Sequence, residues 1–272
     1  MHPFHRSVRL HLICVPLLVL LCAGCADPAG PADDDGLPPS PTFTGTVQVS
    51  EIFMHMMGSS GSSAAAGFSE PGEVEGPEVL GTAGSCTVYE ADAMSMGAPT
   101  GELDAGEIEV RGGSTDIDLL FTGAGYSATD DGGGDLFEAD DTLEFVGGGG
   151  EDVPPFDGAL TAPPRLDVQE PDLDQPLDVD RSQPFTLRWT PQPGHDVFME
   201  LVSNGTTLAC SAADEDGEIV VPAKLLSLLP TSTGMMGGML MVTRSARESF
   251  AVGDGRVTLE ALATECNMGS ID

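Results

Sequence analysis

Short runs in which every second residue is apolar recur along this chain, and Gly, Pro and Asp repeatedly cut them off. A period of two sends successive side chains to opposite faces of a strand, whereas an amphipathic helix needs a period near 3.6. Gly (35) and Pro (21) make up about a fifth of the 272 residues, which disfavours long helices and supplies turns. Apolar residues at 40% suffice for a core, but aromatics are 5% with a single Trp, so Val, Leu, Ile, Met and Phe must fill it. The expectation is an all-β protein of many short strands.

Val47 and Val49 alternate in TGTVQVS, Cys86 and Val88 in CTVYE, Ile108 and Val110 in GEIEVRGG, and Leu143 and Phe145 in TLEFVGGGG. Ile117, Leu119 and Phe121 share a face in TDIDLLF. Gly147–Gly150 followed by Val153-Pro154-Pro155 cannot continue regular structure and reads as a module boundary. Beyond it, Phe185, Leu187 and Trp189 point one way, and DVFMELVS, TTLACSA, EIVVP, GMLMVTR and RVTLEALA follow. Pro222 opens AKLLSLL, the one convincing helical turn. These signals predict two β-sandwich modules, a β-rich one over 44–158 and a second over 159–266. The second, with about seven short strands and a core Trp, matches an immunoglobulin-like sandwich. QPFTLRWTP is similar to the B strand of fibronectin type III domains, a resemblance that implies a fold and no activity.

The N-terminus carries a different signal. Residues 1–24 begin with His2, His5, Arg6 and Arg9 and continue in an apolar run from Leu10 to Leu21. That run is too short for a bilayer core of about 30 Å, which takes around 20 residues, and fits a secretory signal peptide. Leu21-Cys22-Ala23-Gly24-Cys25 resembles the lipobox of bacterial lipoproteins, with Cys22 where Leu is usual. The resemblance implies diacylation of Cys25, the lipidation site, and cleavage before it. Residues 25–43, rich in Pro, Gly and Asp, read as a flexible tether. Ala26, rather than Asp, follows the cysteine; by the enteric sorting rule that implies the outer membrane. The whole mature chain also resembles uncharacterised two-module lipoproteins of GC-rich Gram-negative bacteria.

The net charge is −34, and removal of Arg6 and Arg9 with the leader leaves 8 basic against 44 acidic residues, or −36. Phosphate affinity comes from clustered Lys and Arg, so no nucleic-acid partner is expected. Acidity keeps an exported protein soluble; the competing reading is a surface that gathers cations. Asp130, Asp131, Asp135, Asp140 and Asp141 offer hard oxygen ligands for Ca²⁺, without an EF-hand spacing. Met54, Met56 and Met57 flank His55, and Met235, Met236, Met239 and Met241 form a second group, soft donors that select Cu(I). Against this, Met239 and Met241 share a strand face and read as core fillers.

Catalytic signatures are thin. The chain has no G-x-S-x-G, GSSGSSAAAG (58–67) reads as a low-complexity loop, and His195 sits in the polar turn PQPGHDV. GGGG leads into Glu151 and Asp152, which would repel phosphate. With Cys25 lipidated, Cys86, Cys210 and Cys266 remain, so at most one bridge forms within the chain; Cys210–Cys266 is the expected pair. The sum of these expectations is a non-enzymatic envelope protein, without cofactor. It would be membrane-held through its lipid and serve as a binding or structural module for an envelope protein or a glycan. The alternative is a Ca- or Cu-binding envelope protein.

Overall fold

The alternating runs fold as strands. In the computed structural model, which describes residues 41–72, 77–90, 99, 101–130, 135–234 and 237–272, the first half contributes nine strands. They are β1 (Thr44–Met54), β2 (Ser59–Ser69), β3 (Val79–Ala83), β4 (Cys86–Glu90), β5 (Ile108–Arg111), β6 (Ile117–Leu119), β7 (Tyr126–Asp130), β8 (Thr142–Gly147) and β9 (Phe156–Thr161). The second half adds β10 (Val168–Glu170), β11 (Leu177–Val179), β12 (Phe185–Trp189), β13 (Asp196–Ser203), β14 (Thr206–Ala213) and β15 (Glu218–Val221). The short helix α1 (Ala223–Leu226), β16 (Gly238–Val252) and β17 (Gly255–Ile271) follow. The protein is all-β, and α1 falls where Pro222 marks the helical turn.

A ten-stranded sheet runs β3-β4-β14-β13-β16-β17-β1-β2-β7, with β11 also paired to β17. Two smaller sheets, β6-β5-β8-β9 and β10-β12-β15, complete the fold. Each shares a separate core with part of the large sheet. The first core joins Ile108, Leu119, Leu143, Phe145 and Phe156 to Val47, Val49, Phe68, Val257 and Leu259. The second joins Leu187, Trp189, Ile219 and Val221 to Val197, Met199, Leu201, Leu208, Leu240 and Val242. β16 and β17, of 15 and 17 residues, exceed the usual strand length of roughly 3–10 residues. They do so because one hairpin serves both cores: Ala246, Val257 and Leu259 belong to the first, Leu240, Val242 and Ile271 to the second.

The modules expected over 44–158 and 159–266 therefore exchange strands. β1 pairs in parallel with β17 from Thr44↔Arg256 to Met54↔Cys266, while β4 pairs with β14. The 158/159 boundary itself falls inside β9. The second-half strands form a sandwich of β10-β12-β15 opposite β14-β13-β16-β17. Asn204 (φ 45) and Gly205 (φ 79) turn β13 into β14; both lie in the left-handed region that a two-residue Asn-Gly hairpin requires. Gly269 is needed for another reason: a Cβ there would strike the Leu177 backbone, so only glycine lets β11 lie against β17.

Two expectations are corrected. GSSGSSAAAG is not a loop but most of β2, paired along its whole length with β1 and through Ser62–Ala66 with β7. Ala64, Ala66 and Phe68 face the first core, and small side chains fit the close contact there. The bridge is Cys86–Cys210, not Cys210–Cys266. Cys86 lies directly opposite Cys210, with Cα atoms 4.1 Å apart. Cys266 on β17 stands three strand spacings from β14, roughly 14 Å at about 4.8 Å each, beyond the ~7 Å that a disulfide spans.

Candidate functional site at the junction of the cores

The inward face of β17 changes character midway. Val257, Leu259, Ala261 and Ala263 are apolar and buried, and the next two inward positions are Glu265 and Asn267, 3% and 1% exposed. The carboxylate of Glu265 lies between the two cores, so its burial demands partners. Arg165, on the connection from β9 to β10, supplies a bidentate pair, Nε to Oε1 at 2.9 Å and Nη2 to Oε2 at 3.0 Å. This hydrogen bonding holds the Arg165 guanidinium protonated more firmly than usual. Phe53, opposite Glu265 in the β1–β17 register, carries the guanidinium 4.1 Å above its ring centroid.

His55 begins the turn that ends β1, and its ring stands perpendicular to that of Phe53 with centroids 4.9 Å apart. Its Nε2 lies 2.8 Å from Glu265 Oε2, and its Nδ1 3.4 Å from Asp174 Oδ1. An ionised carboxylate only accepts, so Nε2–H is the donor to Glu265.

A second ion pair fixes the wall behind. Arg244 and Asp214 are 1% and 0% exposed, with Nε 2.6 Å from Oδ2 and Nη2 3.1 Å from Oδ1. Arg244 also donates to the carbonyls of Pro164, Arg165 and Thr190, while Trp189 Nε1 donates to Asp214 Oδ1 at 2.7 Å. The backbone bearing Arg165 is thereby tied to the large sheet and to the Trp strand. Arg244 Nε and Asp214 Oδ2 meet as an ion pair without hydrogen-bond geometry, and a buried pair is costly to break from one side because the charge left behind has no counter-charge.

These groups line an open cleft of about 390 Å³ bounded by His55, Arg165, Asp167, Asp172, Asp174 and Glu265, with Leu166, Val168 and Leu173 as its apolar wall. Asp174 is 86% exposed at its side chain, and Arg165 54%. On the far side of Arg165 stand Asp135 and Glu51. Burial pushes the Glu51 carboxyl up although it accepts the Phe137 N–H at 3.0 Å. The cleft offers fixed donors and acceptors beside an apolar wall, the equipment of a site for a polar ligand. Among the described residues no three His, Cys, Asp or Glu side chains converge on a metal position; His55 directs its two nitrogens at different carboxylates.

The residues singled out from sequence fall elsewhere. Cys25, Asp131, Met235 and Met236 lie outside the described residues. Asp130 ends β7, while Asp140 (φ 68) and Asp141 form a turn in which Asp141 Oδ2 accepts the Glu138 N–H. His195 is half-buried, its carbonyl accepting from the Asp214 N–H. Met57 is 56% exposed. Met239 and Met241 do share a face, opposite the one on which Leu240 and Val242 enter the second core; Met241 is itself buried, 7% exposed, and Met239 half-buried. Sequence reading found His55 for its methionine neighbours and missed Glu265, Arg165 and Asp174. A usable signal existed: an acid in register with the inward alanines of RVTLEALATE.

No protein-family model matches the chain, and no curated protein matches it as a relative.

Proposed function

We propose that this is an exported envelope protein, lipid-anchored through Cys25 on the outer membrane, that acts as a non-enzymatic binding or structural module. The observation that carries the reading is the lipobox-like LCAGC followed by an Asp-, Pro- and Gly-rich stretch that ends where the described fold begins. Two acyl chains, at about 0.8 kcal/mol per buried methylene, hold stably where one holds weakly. The order β10-β12-β15 opposite β14-β13-β16-β17 supports the immunoglobulin-like reading of the second half. The cleft at the core junction is the place where an envelope protein or a glycan would dock, because its charged groups are held from several strands and connections at once.

Intact mass and membrane fractionation of wild type beside Cys25→Ala test the anchor. The expected result is a membrane-bound wild type starting at acylated Cys25 and a released variant; a soluble, unacylated wild type overturns it. For the cleft, pull-downs from envelope extracts with Arg165→Ala and Asp174→Ala should lose a partner that wild type retains.

A further inference from the structure

We propose that the outward face of the large sheet carries a soft-metal site, with Cys266, Met54 and Met241 as the ligands of one Cu(I) ion. Three strands bring them together. The parallel register sets Met54 on β1 directly beside Cys266 on β17, and the antiparallel register sets Met241 on β16 beside Cys266 from the other side. Directly paired residues project from the same face with Cβ atoms about 4.5–5.5 Å apart, so three sulfur side chains form one row. The neighbouring row adds Met268 opposite Met239. Five sulfur residues thus share one patch, although in the sequence they come from three separate segments.

Cys266 is a free thiol, 5% exposed, since Cys86 and Cys210 bond each other. Met241 is 7% exposed, while Met54, Met239 and Met268 are half-buried, leaving a path from solvent to a sheltered centre. Thiolate and thioether donors select Cu(I) over the harder cations that carboxylates prefer. Methionine's three rotatable bonds let its sulfur close onto an ion from a strand position. The Cys266 thiolate alone neutralises the single positive charge of Cu(I), and Glu200 stands in register with Met241 on the same face. On binding, the Cys266 S–H bond breaks, its proton goes to solvent, and a sulfur–copper bond forms; each thioether donates a lone pair and the copper stays Cu(I). His55 takes no part, because its ring is turned to Glu265 and Asp174.

The test is anaerobic titration of the full chain, carrying Cys14→Ser, Cys22→Ser and Cys25→Ser as a common background, with Cu(I) against a competing Cu(I) chelator, and with ascorbate as reductant so that Cys86–Cys210 stays intact. Wild type should hold one ion per chain with near-ultraviolet thiolate–Cu(I) absorption. Cys266→Ala should abolish the absorption and weaken binding at least about 100-fold, and Met54→Leu with Met241→Leu about 10–100-fold, the scale on which loss of a supporting group at a metal site is felt. Met199→Leu, buried in the second core, should bind as wild type. If Cys266→Ala unfolds, Met241→Leu, which conserves volume, decides alone. The proposal is overturned if the chelator strips wild type completely. It is equally overturned if binding survives loss of Cys266 and Met241 and disappears instead with Met56→Leu and Met57→Leu.

Discussion

The two cores are built by different logic although they share a sheet. The second is local: its sandwich strands run consecutively from β10 to β17, with β4 as the addition from the first half. The first is not: its small sheet comes from residues 108–161, while half of its floor is the far end of the β16–β17 hairpin, residues 246–261. Their contents differ as well. Phe43, Phe68, Tyr126, Phe137, Phe145 and Phe156 fill the first core, with Tyr126 set edge-on to Phe68 at 6.0 Å; the second is aliphatic around Trp189. A core assembled from consecutive strands announces itself in the sequence, and one that borrows its floor from a hundred residues away does not.

The largest effects should come from emptying each core at its central aromatic. Phe145→Ala and Trp189→Ala should each cost about 3–5 kcal/mol. Because β16 and β17 enter both cores, each substitution should lower a single thermal transition followed by circular dichroism. Separate transitions for the two variants would break the link between the halves.

Cutting the junction should be nearly as severe. Asp214→Ala leaves Arg244 buried without its carboxylate, at a cost of about 3–5 kcal/mol. Arg244→Met together with Asp214→Leu should recover much of that loss, as chemical denaturation would show. Cleft geometry would then suffer more than stability, since the carbonyls of Pro164 and Arg165 would lose their donor.

Reduction of Cys86–Cys210 should lower the stability of the whole fold and loosen one sheet edge most. It closes a long loop, with partners 124 residues apart, and its loss should cost about 2–4 kcal/mol. Hydrogen exchange should speed up throughout, and most in β3 and β4, the sheet edge that the bridge ties to β14.

The smallest effect concerns pH. Burial raises the Glu51 carboxyl in the fold above its ordinary value, so the folded state favours the protonated form. That contribution is fully present below the unfolded-state value and is lost as pH rises through the folded one. Glu51→Gln should therefore flatten the fall in stability on the alkaline side of the carboxylate range, measured by melting at stepped pH.

Strand identity was legible wherever alternation was clean. DVFMELVS coincides with β13, CTVYE with β4, and Phe185–Trp189 with β12. Alternation gives two faces but not which one enters a given core: Leu240 and Val242 enter the second core, while Met241 is buried on the opposite face. Ser and Ala carry little strand signal, and β2 was read as a loop, since its order comes from lying between β1 and β7. The junction was illegible for a stronger reason. His55 and Arg165 reach Glu265 across 210 and 100 residues, and no local pattern encodes such a meeting.

The most direct test is to produce residues 41–163 alone, which keeps β9 whole. Without β17, β1 has no partner on one side and the first core lacks Ala246, Val257, Leu259 and Ala261. The fragment should show poorly dispersed amide resonances and no cooperative melt, both restored when residues 164–272 are supplied in trans. A fragment that melts cooperatively by itself would contradict this expectation, and would show two self-sufficient sandwiches joined in sequence.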